Sequence, residues 1–195
     1  IYPLLRLTTV GSTNDYAIEL LREPDTPSEL IIVAEHQTNG KGQMGRKWHT
    51  SFGNNLNLSY IIKNITYAPF IFNMAIALGV LEGIRNFPFI EGIKETRINI
   101  KWPNDIVLIE DSGVKKIAGI LIENSWRGET QTASIVGVGV NLDTQFSKEH
   151  VSGFNLMPGN LNDYLSENIS ALNLELPIIN SIQNRIHMLS TERGD

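Results

Sequence analysis

Between Arg97 and Val140, strand-like segments follow one another with no helical stretch between them. Arg97-Ile98-Asn99-Ile100-Lys101 alternates polar and apolar residues until Pro103 breaks the run. Ile106–Ile109 and Ile117–Glu123 read as a hairpin around Asp111-Ser112-Gly113, and Ala133–Val140 reads as another strand. Strands placed back to back pair antiparallel. They cannot build the regular strand–helix alternation of a doubly wound fold.

The flanking segments complete the picture. Leu4–Val10 is rich in Leu, Thr and Val and reads as a strand. Ser12-Thr13-Asn14-Asp15 opens a helix, with Ser12 as cap and Asp15 three residues on, as in a capping box. Ala17, Ile18, Leu20 and Leu21 continue it at helical spacing, and Pro24 ends the run. Leu30–Ala34 is apolar throughout, as in a strand buried on both faces, whereas Asn55–Tyr60 alternates like a half-buried one. Pro69–Arg85 forms a central helix with Pro in its first turn, its apolar side carrying Phe70, Met74, Ala77, Leu78 and Leu81. Beyond Pro158-Gly159, Leu161–Ser166 predicts a short helix and Ile178–Leu189 a longer one. The expected class is α+β: a mixed, largely antiparallel sheet packed against helices.

Composition removes several functions. The 195 residues fit one domain, and 42% hydrophobic with 19% charged residues excludes disordered and fibrous classes. A net charge of −5 argues against nucleic-acid binding as the main task. There is no cysteine, and His36, His49, His150 and His187 lack zinc-site spacing, so thiolate chemistry and zinc are not expected. No apolar run reaches the roughly 20 residues that span a bilayer. The start, Ile1-Tyr2-Pro3-Leu4, lacks the basic region and initiator Met of a secretion signal, so a soluble cytoplasmic protein is the expectation.

Five segments can carry chemistry. In Gly40-Lys41-Gly42-Gln43-Met44-Gly45-Arg46-Lys47-Trp48, glycines interleave with cations, so backbone N–H groups and positive charge can meet a phosphate or carboxylate. The spacing occurs in many nucleotide sites, but no helical pattern follows it, which excludes a Rossmann loop. Lys101, in Lys101-Trp102-Pro103-Asn104-Asp105, is either a point charge on rigid framework or a solvated edge-strand lysine. Gly119 in Lys116-Ile117-Ala118-Gly119-Ile120-Leu121-Ile122-Glu123 marks either close approach or a bulge. Gly137 and Gly139 clear one face of a strand that ends at Asn141, for a ligand or for a helix packed over them. Ser12-Thr13-Asn14 caps a helix and also offers free N–H groups to an anion.

In this order the segments resemble the catalytic domain of biotin–protein ligases. The matching patterns are the Ser-Thr-Asn helix start, Gly45-Arg46-Lys47-Trp48, Lys-Trp-Pro-Asn-Asp, Lys-x-x-Gly-Ile-Leu-x-Glu and Gly-x-Gly-x-Asn. They cover residues 4 to about 142, and a generic helical tail follows. The resemblance implies the biotin/lipoate ligase fold, akin to class II synthetases, as a single catalytic domain over 1–195. It also implies a two-step reaction: biotin and ATP give biotinyl-5′-adenylate, then a lysine of a biotin carboxyl carrier domain takes the acyl group. Ser12, Thr13 and Gln37 would bind the ureido ring, with Asn14, Gln43 and Gly119 around the biotin. Lys41 and the backbone of Gly40 and Gly42 would hold carboxylate and phosphate. Lys101 would stand between the biotin carboxyl and the α-phosphate, sharing the catalytic role with Arg46. Arg46, Trp48, Asn104, Lys116 and Asn141 would surround the nucleotide. Magnesium would arrive on the phosphates, and its protein ligand is unknown.

The same resemblance implies no DNA or membrane partner and leaves a homodimer open. No N-terminal helix-turn-helix or C-terminal β-barrel is expected in this chain. Where the family loop reads Gly-Arg-Gly-Arg-x-Gly-Arg, this chain has Lys41 and the neutral Gln43. The rival readings are a lipoate–protein ligase, which normally lacks Gly-Arg-Lys-Trp and Lys-Trp-Pro-Asn-Asp, and a non-catalytic biotin or adenylate sensor, which would not need Lys101.

Overall fold

The computed structural model describes residues 2–89, 97–146 and 156–191. Its strands are β1 (Leu4–Val10), β2 (Glu29–Gln37), β3 (Asn55–Lys63), β4 (Ile98–Lys101), β5 (Asp105–Glu110), β6 (Gly113–Arg127), β7 (Thr130–Asn141) and β8 (Met157–Pro158). Its helices are α1 (Thr13–Leu20), α2 (Pro69–Arg85) and α3 (Ala171–Thr191). One sheet runs β1-β2-β3-β7-β6-β5-β4, with β8 beside β6. The pairs β1–β2 and β6–β8 are parallel and the others antiparallel, so the sheet is mixed and largely antiparallel, as expected. The parallel pair follows from its connection, since α1 carries the chain back across the sheet between β1 and β2. Among the described residues no helix is long and apolar enough to cross a membrane.

Both faces of the sheet are covered. On one, Val33, Leu56, Leu58, Val136 and Val138 meet Phe72, Ile76 and Val80 of α2 and Ile178 and Ile182 of α3. On the other, Ile32, Ile61 and Ile135 lie under Ala17 of α1. This double cover is why the Leu30–Ala34 segment is apolar without alternation. Gly79 and Gly83 let α2 and α3 touch backbone to backbone: an added Cβ would stand 2.6 Å from the Ile182 Cα and 2.7 Å from the Ile178 Cα. Those glycines therefore set the helix–helix distance.

Several expectations change. β3 is buried on both faces rather than half-buried, with Asn55, Asn57 and Ser59 at 1%, 1% and 0% exposure. On α2 the buried stripe runs through Phe72, Ala75, Ile76 and Val80, while Phe70 and Met74 are exposed, Phe70 packing against the Trp102 ring. The short helix expected at Leu161–Ser166 contracts to a 3₁₀ turn at Asn162–Tyr164. The last helix starts at Ala171 and continues through Pro177, because Leu174, Ile178, Ile179 and Ile182 bury one continuous stripe. Packing outweighs the local cost of proline there.

Candidate active site

The register of β1 against β2 places Val10 opposite Gln37, which brings the first turn of α1 beside the end of β2. There the Thr13 N–H donates to Gln37 Oε1 at 2.7 Å. The Thr13 hydroxyl stands 3.1 Å from the same oxygen and 2.7 Å from Ser59 Oγ. Ser59 Oγ donates to Asn14 Oδ1 at 2.6 Å, and Asn14 Nδ2 donates to Glu123 Oε2 at 2.8 Å and to the Leu121 carbonyl at 3.3 Å. Gln37 Nε2 donates to Asn57 Oδ1, whose amide donates to the Ala34 carbonyl. Of these groups Thr13, Asn14 and Gln37 line the polar end of a cleft, and the others hold them from behind. Thr13, Asn14 and Gln37 are themselves neutral, and charge reaches this cleft through Lys41 and Lys116 of its lining and through Glu123 behind Asn14.

The glycines decide the shape of this compartment. An added Cβ at Gly137 would come within 3.0 Å of the Asn14 side-chain Cγ, so helix packing explains that glycine. At Gly139 it would meet Trp48 Nε1 and Cζ2 at 2.6 Å, and at Gly119 it would meet Trp48 Cζ3 at 3.0 Å. One indole therefore accounts for both. The bulge considered for Gly119 is absent there, since the register shifts between β5 and β6 at Ile106/Val107. Trp48 Nε1 is buried and finds no hydrogen-bond partner among the described residues.

The Gly-rich segment is a folded turn. Gly42 N–H donates to the Arg46 carbonyl at 2.7 Å and Trp48 N–H to the Gly40 carbonyl at 2.9 Å. Met44 and Gly45 adopt φ of 55° and 73° at its tip, which strains Met44 but not Gly45. Gly40 is required by contact, because a Cβ would lie 2.5 Å from the Trp48 carbonyl oxygen. Lys41 pairs with Asp15 on α1, and that hydrogen bond raises the ammonium pKa above its ordinary value. Asp15 thus serves Lys41 rather than reciprocating Ser12, whose Oγ accepts only the Asp15 N–H at 3.4 Å.

A second compartment adjoins the first through Gly42, Gln43, Trp48, Asn104 and Lys116. Its walls bring Arg46, Lys47, Lys101 and Lys116 together with the apolar Phe146, Leu156 and Pro158. Asp105 is the one carboxylate in the lining among the described residues, 2.6 Å from Lys116 Nζ and 3.7 Å from Lys101 Nζ. Lys116 also stands 5.4 Å above the Trp48 ring, within cation–π range.

Most of the expected site residues converge on these two compartments, and a few stand behind them. Ser12 is buried at the helix cap and lines neither compartment, and Gly40 supports the loop from outside. Asn104 and Asn141 line the outer space but also hold framework: Asn104 Nδ2 donates to the Ile120 carbonyl, and Asn141 Nδ2 to the Lys116 and Gly159 carbonyls. His150 lies outside the described residues, among which no group of three metal-ligating side chains gathers. Sequence reasoning passed over Asp15, Asn57, Ser59, Asp105 and Glu123. The signal for Asn57 and Ser59 was their shared strand face, which was read as solvated.

Comparison with known proteins agrees with this architecture. Residues 7–141 match the biotin/lipoate A/B protein ligase family. The chain is 34% identical over 139 residues to the biotin–[acetyl-CoA-carboxylase] ligase of Paracoccus denitrificans, covering 70% of this chain and 53% of that protein. It is 31% identical over 145 residues to the bifunctional ligase/repressor BirA of Escherichia coli, covering 74% and 42%. The chain thus spans about half or less of these relatives' length. The biotin protein ligase of Aquifex aeolicus, solved with biotin and ATP, superposes with a TM-score of 0.72 at 24% identity, covering 96% of this chain and 71% of that one. A lipoate protein ligase of Thermoplasma acidophilum gives a TM-score of 0.60 at 12% identity, covering 96% and 85%. The structural likenesses establish a common fold.

Proposed function

The chain belongs to the biotin/lipoate A/B protein ligase family, and on that premise we propose that it activates biotin with ATP and transfers it to a carrier-protein lysine. One observation carries this reading: an inner compartment ending in neutral hydrogen-bonding groups opens into an outer compartment lined by cations. A ureido ring is neutral, donates two N–H groups and accepts at its carbonyl, which suits Thr13, Asn14 and Gln37. A triphosphate and a carboxylate suit Lys101, Lys116, Arg46 and Lys41.

In the first step a biotin carboxylate oxygen attacks the α-phosphorus, and pyrophosphate leaves. Two anions must approach each other, so the fixed charges of Lys101 and Lys116 lower the barrier by offsetting repulsion and the charge growing on phosphorus. The compartments meet at Lys116, which holds the reacting ends together. In the second step the carrier lysine, as the free amine, attacks the acyl carbon; AMP leaves and the amine proton passes to solvent. Magnesium, if bound with the triphosphate, would supply further charge neutralisation. Asp105, the one carboxylate of the outer lining among the described residues, already bridges two lysines. ATP and a carboxylase carrier as substrates are compatible with the cytoplasmic location expected from the sequence. A lipoyl dithiolane offers no N–H to the inner compartment, which disfavours the lipoate reading.

The test is incubation with ATP and a biotin carboxyl carrier domain, with either biotin or lipoate, followed by intact mass of the carrier. Addition of one biotinyl group, dependent on ATP, is expected. Modification by lipoate alone, or none at all, overturns the proposal.

A further inference from the structure

We propose that Glu123 is a positioning residue that sets the hydrogen-bond direction of the Thr13 hydroxyl, through Asn14 and Ser59, and so selects a ligand head group that donates N–H. The inference rests on the biotin reading of the inner compartment. It follows from counting protons along one chain of contacts. Asn14 Nδ2 has two N–H groups, and its two neighbours, the Glu123 carboxylate and the Leu121 carbonyl, can only accept. The amide orientation is therefore fixed, and Oδ1 must face Ser59. That oxygen only accepts, so the single Ser59 proton goes to it, at 2.6 Å. Ser59 Oγ is left with lone pairs toward Thr13 Oγ1 at 2.7 Å. Were the Thr13 proton turned to Gln37 Oε1 at 3.1 Å, two lone pairs would oppose each other across the shorter gap. Gln37 Oε1 is in any case already supplied by the Thr13 N–H at 2.7 Å. Thr13 thus donates to Ser59 and presents lone pairs to the cleft it lines.

Thr13, Asn14 and Ser59 are 3%, 3% and 0% exposed, so water does not scramble these directions. Glu123 begins the chain from outside it, on β6, facing Asn14 of α1 and attracting Lys41 of the loop electrostatically. An acceptor held this way rejects a head group without N–H far more strongly than apolar contacts could, because a buried oxygen would lose its partner.

Glu123→Gln removes the direction with little change in shape, since a glutamine amide can accept from Asn14 or donate to it. Calorimetric titration of wild type and variant with biotin, with biotin methylated at a ureido nitrogen, and with ATP provides the test. Expected are a roughly ten-fold weaker biotin affinity in the variant, a preference for biotin over its methylated analogue reduced to within about three-fold, and an unchanged ATP affinity. Glu123→Asp, which still only accepts, keeps the preference. In a Thr13→Val background, Glu123→Gln has no further effect on biotin, because the hydroxyl it directs is gone. Unchanged biotin affinity in Glu123→Gln overturns the inference, as does equal weakening toward all three ligands or failure of the variant to fold. Failure of the wild type to bind biotin overturns the proposed function instead, so the two are separable.

Discussion

Asp105 Oδ1 lies 2.6 Å from Lys116 Nζ, joining neighbouring strands at the point where the two compartments of the cleft meet. Its other oxygen stands 3.7 Å from Lys101 Nζ. One carboxylate thus aims two ammonium groups into the outer compartment. Asp105→Asn should leave biotin affinity within about two-fold and slow adenylate formation about ten- to hundred-fold, the loss of one charge-assisted contact. Pyrophosphate release in a single turnover measures it, and an unaltered rate would mean the lysines are held by other groups.

Lys101 is half exposed at the end of β4, so its removal costs the fold little. Lys101→Ala should keep its melting temperature within a few degrees while adenylate formation loses about 2–4 kcal/mol of transition-state stabilisation. Near-normal single-turnover rates would remove Lys101 from the chemistry.

Gly139 is required by contact rather than by backbone conformation. Gly139→Ala places a Cβ into the Trp48 indole, so the ring must shift toward the ligand space or the loop must lift. The expected result is biotin binding at least ten-fold weaker in titration, with about 1–3 kcal/mol lost in denaturant unfolding from overpacking. Wild-type binding would show that Trp48 does not define the compartment.

Gln43 lines both compartments, at the position where the related loop carries a second arginine. A neutral amide holds an adenylate less firmly than a guanidinium by about 1–2 kcal/mol. Gln43→Arg should therefore slow adenylate dissociation roughly five- to thirty-fold and reduce labelling of bystander lysines. Stopped-flow dissociation from both forms decides it, and equal off-rates would show that Gln43 does not guard the intermediate.

Much of the frame was legible in local pattern. The back-to-back strands, the hairpin at Asp111-Ser112-Gly113, the helix start at Ser12 and the Pro69–Arg85 helix all appear where periodicity and turn chemistry put them. The candidate site was legible only where a residue type is unusual for its segment, as with the loop glycines and Lys101. Asn57, Ser59 and Asp105 look ordinary in sequence. Asn and Ser alternating with Leu and Tyr is also how a solvated strand face reads, and an Asn-Asp turn needs no partner.

What the sequence determined by itself is therefore the inventory: which segments are strands or helices, and which glycines and cations are present. Those depend on spacings of two to four residues, which side-chain patterning encodes directly. What only the tertiary structure decided is which face is buried and who meets whom. Ser59 and Thr13 lie far apart in sequence, and their 2.7 Å contact exists because α1 crosses the sheet above β3 and β7. Packing α1 there turned a polar strand face into the end of a cleft. Gly137 makes room there for the Asn14 side chain of α1, and Gly139 for the Trp48 indole that the Gly-rich loop brings in. Long-range contacts of this kind arise from covering both faces of one sheet, and no local window of residues contains that information.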